Sequence, residues 1–102
     1  MNEEQIFGII SYAGDAKGLA YEALDKAEEG DFDKANELIE ESNKMMKEAH
    51  KLQTKMIHQE AAGDPVSVNI ILIHAQDHLM TAMSEKNLIE RFIKMYKKMD
   101  ER

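Results

Sequence analysis

Apolar residues recur along the chain at the three- and four-residue spacing of an amphipathic helix, in three long stretches. The first carries Ile6, Ile9, Ile10, Ala13, Ala16, Ala20, Ala23, Leu24 and Ala27. Asn2 stands before it as a helix cap, with Gln5 three residues on to complete a capping box, which predicts a helix over about 3–29. The second stretch repeats Ala35, Leu38, Ile39, Met45, Met46, Ala49, Leu52 and Met56 between Glu, Lys, Asn and Gln, which predicts a helix over about 32–62. The third opens on Val66-Ser67-Val68-Asn69-Ile70-Ile71-Leu72-Ile73, which alone would pass for a buried strand. Its continuation through Ala75, Leu79, Ala82, Met83, Leu88, Ile89, Phe92, Ile93 and Tyr96 has no turn signal, so one helix of about 50 Å over 66–99 is expected.

Punctuation between the stretches agrees. Gly30-Asp31 and Gly63-Asp64-Pro65 each offer a glycine to end one helix and an aspartate to cap the next, and Pro65 suits a first helical position. Three helices with two short connections predict a single all-α domain over 1–102, an antiparallel three-helix bundle running up-down-up. Gly14 and Gly18 inside the first helix are read either as places where a neighbouring helix comes close or as ordinary tolerated glycines, and the methionines of the second as core filling. His50 and His58 are expected at solvent or partly buried edges. The apolar set of the third helix is too broad for one stripe: Leu72, Ile73, Leu79, Met80 and Met83 cover one side, Ile71, Ile89, Phe92 and Tyr96 another. A homo-oligomer would bury both.

Composition narrows the function. In 102 residues, 13 Lys and Arg face 20 Asp and Glu, for a net charge of -7, which argues against binding a nucleic-acid backbone and favours a basic partner. No cysteine is present, so disulfides, thiolate nucleophiles and Cys-ligated zinc are excluded. Met1-Asn2-Glu3-Glu4 lacks the basic and apolar regions of a secretory leader, and no apolar run is long enough to span a membrane, so a cytoplasmic chain is expected.

Turning the third helix by 100° per residue sets His74, Asp77, His78, Thr81 and Glu85 on one face, in line with Ile70, Leu88, Phe92, Met95 and Met99. The stripe is apolar at both ends and polar in the middle, and wherever it meets other helices its polar groups need hydrogen bonds, ions or a reacting phosphate. Neutral imidazole offers a nucleophilic nitrogen near pH 7, so His74 and His78, one turn apart, are candidates for chemistry, for metal binding, or for two satisfied interface histidines. The zinc-hydrolase pattern HExxH is not met, because His74-Ala75-Gln76-Asp77-His78 lacks the glutamate after the first histidine. A metal held by the pair would need a third ligand from another helix or subunit.

The run His74-Ala75-Gln76-Asp77-His78-Leu79-Met80-Thr81-Ala82 resembles the active-site signature of the lactose/cellobiose-type IIA component of the bacterial phosphoenolpyruvate-dependent sugar phosphotransferase system. Ala20-Tyr21-Glu22-Ala23-Leu24, Gly30-Asp31-Phe32, Ala49-His50-Lys51-Leu52-Gln53-Thr54 and Glu60-Ala61-Ala62-Gly63 extend the resemblance over almost the whole chain; Gly18 departs from the small polar residue expected there. The resemblance implies a homotrimer in which His74 accepts a phosphoryl group from phospho-HPr and passes it to a cysteine of the IIB component. The sugar, whether lactose, cellobiose, chitobiose or a related one, meets only later parts of the system. It further implies that Asp77 meets its symmetry mates around a Mg2+ ion near the trimer axis, and that His78 supports His74 by orientation or electrostatics. Two other readings compete: a histidine phosphotransfer domain of two-component signalling, whose lysine and glycine after the histidine are missing at Ala75 to His78, and a metal-stabilised helical interaction module.

Overall fold

The computed structural model describes residues 2–101, so the extreme ends of the expected domain, Met1 and Arg102, lie outside the described residues. Three helices follow in order: α1 (Glu3–Glu28), α2 (Phe32–Ala61) and α3 (Ile70–Asp100), stacked as a rod of 56 × 20 × 19 Å. The antiparallel three-helix bundle expected from the periodicity is what forms. The Asn2 side chain accepts from the Gln5 N–H at 2.9 Å while Gln5 Oε1 accepts from the Asn2 N–H at 3.0 Å, closing the capping box. Gly30 and Gly63 adopt φ of 85° and 87°, left-handed values that a side chain disfavours, and both helix ends turn there. Asp31 caps α2 by accepting from the Lys34 N–H.

The start of α3 departs from expectation. The helix begins at Ile70, four residues later than Val66, and its cap is Asn69, not Asp64; Pro65 is not its first residue. Two local interactions account for the delay. The Val66 N–H donates to Glu60 Oε2 at 2.9 Å, tying the connection back onto α2, and Asn69 Oδ1 accepts from the Leu72 N–H at 2.9 Å, satisfying an otherwise unpaired amide of the first turn.

α1 is the middle helix of the bundle. Its buried stripe is Ile6, Ile9, Ala13, Ala16, Ala20, Ala23 and Ala27, and this run of alanines lets both neighbours approach its backbone closely. α2 and α3 each pack along α1 and meet one another over a much shorter seam. One closely packed group joins Ile9, Met46, Met56, Leu72 and Leu79; a second joins Ala23, Leu38, Ile89 and Ile93. Met46 and Met56 thus fill the core as expected. The buried Ser42 hydroxyl donates to the Ala16 carbonyl at 2.6 Å across the α1–α2 interface. Close approach to glycine occurs where Cβ would crowd a neighbour: at Gly8, 2.9 Å from Leu52 Cδ1, and at Gly14, 3.4 Å from His78 Nε2. Gly18 faces open space, so of the two readings it is an ordinary tolerated glycine and not a point of helix contact.

α3 divides its apolar residues differently from the expected two sides. Leu72, Ala75, Leu79, Ala82, Ile89 and Ile93 go into the bundle, while Ile70, Ile73, Met80, Leu88, Phe92, Met95 and Met99 remain exposed, Ile70 at 83%. Leu79 and Met80, assigned to one side by the pattern, therefore lie on opposite sides.

Candidate functional site

The Asn69 cap fixes the register of the first turns of α3, and with it the side chains of the polar midsection. His74 and Asp77 are exposed, His78 is half-buried against α1, and all three sit among the exposed apolar residues of the same helix. The imidazoles of His74 and His78 are nearly parallel, with centroids 5.8 Å apart and planes inclined by 15°. The glycine at Gly14 leaves room for the His78 ring edge. His74 thus presents an imidazole to solvent on a rigid helix. Thr81 contributes little to the site, because its hydroxyl donates back to the Asp77 carbonyl at 2.9 Å and the His78 carbonyl at 3.1 Å.

Glu85, two turns beyond His78, is clamped from α1. The Tyr21 hydroxyl donates to its Oε1 at 2.8 Å, and Lys17 Nζ lies 3.0 Å from its Oε2. The Tyr21 hydrogen bond first, and the Lys17 ammonium second, hold the Glu85 carboxyl below the usual glutamate range, with a lesser Coulombic contribution from His78. The same hydrogen bond raises the Tyr21 phenol above its ordinary value. On the other flank of α3, the Gln53 side-chain amide of α2 donates to Gln76 Oε1 at 3.2 Å. The periodicity points to His74, Asp77, His78 and Glu85; it does not reveal that Lys17 and Tyr21 hold Glu85 or that Gln53 reaches Gln76, since these residues come from other helices. The quoted resemblance around Tyr21 and Gln53 was the only trace of them in the sequence.

Asp77 is an exposed carboxylate with Ile73 and Met80, both exposed, one turn away on either side. Among the described residues no three His, Cys, Asp or Glu side chains converge on a point where a metal ion could be held. Within one chain, then, no donor set for a metal forms around Asp77 among the described residues. His50 and His58 are exposed on α2, as expected, and take no part in the site.

The family model of the PTS system lactose/cellobiose-specific IIA subunit matches residues 4–97. This chain belongs to that family. It is similar to the lactose-specific EIIA component of Staphylococcus epidermidis, with 44% identity over 102 residues, covering 96% of this chain and 98% of the relative. Among solved structures, the cellobiose-specific enzyme IIA of Bacillus anthracis superimposes with a TM-score of 0.95 at 38% identity, covering 100% of this chain and 95% of that one. The IIA(Chitobiose)–HPr complex of the Escherichia coli N,N'-diacetylchitobiose branch matches with a TM-score of 0.83 at 40% identity, covering 96% of this chain and 95% of that one. As a IIA subunit the chain is a component of a sugar phosphotransferase system, and no helix among the described residues is long and apolar enough to cross a membrane.

Proposed function

We propose that this IIA subunit is a cytoplasmic phosphohistidine carrier in which His74 takes a phosphoryl group from HPr and gives it to the IIB component, during uptake of a sugar of the lactose, cellobiose and chitobiose class. The observation that carries the reading is the exposed imidazole of His74, held on a rigid helix and engaged in no hydrogen bond with the described residues, in a chain whose structural relative was solved with HPr. A phosphoryl acceptor needs a neutral nitrogen open to in-line approach, and the donor brings an already activated phosphorus. In the first step the P–N bond of phospho-HPr breaks as a P–N bond forms to His74. In the second, that bond breaks as a P–S bond forms to the IIB cysteine, whose thiol proton is lost. His78, its ring stacked 5.8 Å from that of His74, supports it by orientation or electrostatics.

The exposed seam of α3 supports a homotrimer. Burying half the surface of Ile70, Ile73, Met80, Leu88, Met95 and Met99 contributes about 5–9 kcal/mol per chain. Association itself costs about 4–15 kcal/mol, so the gain is of the size an assembly needs when most of the seam is covered, as it would be in a closed ring of three α3 helices. Such a ring brings the Asp77 carboxylates together in apolar surroundings, where like charges repel unless compensated. Asp77 and its symmetry mates would hold Mg2+, which when bound supplies that compensating charge and no part of the transfer chemistry. Incubation of the full chain with phospho-HPr and 31P NMR tests the reading: a phosphohistidine resonance, lost on acidification and assigned to His74 by peptide mapping, is expected.

A further inference from the structure

Arg91, Lys94, Lys97 and Lys98 line an open cleft of about 440 Å³ on the C-terminal third of α3, with Met95 among them and Glu101 at the far end, about 15 Å of helix from Arg91. None of the four cations forms an ion pair among the described residues, whereas Lys17, Lys26, Lys34, Lys51 and Lys86 each lie against a glutamate. Attraction to the helix C-terminus accounts for Lys97 and Lys98, which stand in the last turn. It does not account for Arg91, about two and a half turns before the end at Asp100. The one acid within a turn of Arg91 on its own helix is Glu90, and that carboxylate lies 3.2 Å from Lys86. What sets Arg91 apart from the unpaired Lys44, Lys47 and Lys55 of α2 is its place on the exposed seam of α3.

Arg91 stands two heptads beyond Asp77. Even a helix without supercoil turns it only about 40° away from Asp77 over that distance, and the exposed Leu88 and Met95 lie on the same face one turn before and after it. Chains related by a three-fold axis hold their α3 helices parallel and in register. A ring that gathers Asp77 at its axis therefore gathers Arg91 as well, about 21 Å further along. A guanidinium does not give up its proton, so three of them facing an axis between apolar side chains repel unless an anion lies among them. A tetrahedral oxyanion has the matching symmetry: seen down one of its bonds, the other three oxygens are related by the same three-fold rotation, one for each guanidinium fork. We infer that the closed trimer binds, on its axis and between three Arg91 side chains, one doubly charged tetrahedral oxyanion of the inorganic phosphate type. Lys94 and Lys98 add positive charge beside it. The inference rests on the homotrimer reading.

Equilibrium dialysis of the full chain against radiolabelled inorganic phosphate, with sedimentation of the same samples, tests this in wild type, Arg91→Lys and Arg91→Leu. The expected result is one phosphate per three chains in the wild type, displaced by sulfate and retained in chloride of the same ionic strength. Binding should be roughly tenfold weaker in Arg91→Lys, whose ammonium lacks the fork, and absent from Arg91→Leu, where apolar bulk keeps the trimer together. Phosphate should also raise the melting temperature of the wild type and leave that of Arg91→Leu unchanged. A wild-type trimer that binds no phosphate, binds one per chain, or binds as well after Arg91→Leu overturns the axial site and leaves the ring intact. A wild-type monomer overturns the ring, and the site with it. Should Arg91→Leu fail to assemble, the wild-type stoichiometry and its response to Arg91→Lys still decide: a ratio other than one to three, or equal affinity in both, overturns the site.

Discussion

The backbone of Gly14 on α1 stands against the imidazole of His78 on α3, so close that a methyl group at Gly14 would lie 3.4 Å from Nε2. The helix bears a glycine at a position where alanine is the better helix former by about 1 kcal/mol. Gly14→Ala is therefore expected to raise stability by up to about 1 kcal/mol while slowing phosphoryl transfer, since the added methyl closes the space beside the His78 ring edge. Denaturant unfolding and transfer kinetics on the same variant check both; a variant that gains stability with no change in rate removes His78 from the working site.

Glycines elsewhere in α1 separate propensity from packing. Gly18→Ala meets open space and is expected to stabilise by about 1 kcal/mol. Gly8→Ala places a methyl 2.9 Å from Leu52 Cδ1, so part of that gain is lost to crowding. Gly8→Ala should therefore cost less, or gain more, in a Leu52→Val background than in wild type, because valine lacks the crowding atom; urea unfolding of the full double-mutant cycle reads this coupling apart from the cost of Leu52→Val itself.

The Tyr21–Glu85 bond makes a pH-dependent contribution at both ends of the range. Glu85 is depressed in the folded chain, so its contribution is complete above the ordinary value of 4.5 and disappears as pH falls through the lower folded value. Tyr21 is raised, so its contribution is complete below 10.0 and disappears as pH rises through the higher folded value. In Tyr21→Phe the stability deficit relative to wild type should be constant between these limits and shrink outside them, and the Glu85 carboxyl should titrate closer to an ordinary glutamate by 13C NMR. A Glu85 midpoint unmoved by the substitution would refute the clamp.

Much of this arrangement is legible in the chain because helical periodicity fixes which residues share a face. Asn2 with Gln5, and Gly30 with Asp31, mark helix ends through local hydrogen bonds, and those ends fall where the sequence places them. The start of α3 is misjudged because Pro65 suits a helix entry and the helical pattern beyond Ile73 extends back through a strand-like apolar run, within which Asn69, a good cap directly before Ile70, is hidden. The polar stripe on α3 is legible for the same reason as the helices, being a matter of spacing. The Tyr21–Glu85 bond spans 64 residues, and Lys86 meets Asn43 across 43, so the clamp and the Asn43–Lys86 contact depend on how helices dock and have no signature in spacing.

The proposed trimer makes a separate prediction at Asp77. If three Asp77 carboxylates meet in an apolar ring around a shared ion, chelation loosens the wild-type assembly and leaves Asp77→Leu unaffected, because leucine retains bulk without charge. Sedimentation and thermal unfolding, each with and without EDTA, give the comparison. Identical chelator response and identical Mg2+ content in both proteins would exclude the shared axial ion, and a concentration-independent monomer would exclude the ring.

The most direct measurement is single-turnover transfer from phospho-HPr to wild type, His74→Ala and His78→Ala. The account predicts one acid-labile, alkali-stable phosphate per chain in the wild type, none in His74→Ala, and a slowed but complete reaction in His78→Ala. Phosphate accepted by His74→Ala at the wild-type rate would contradict it.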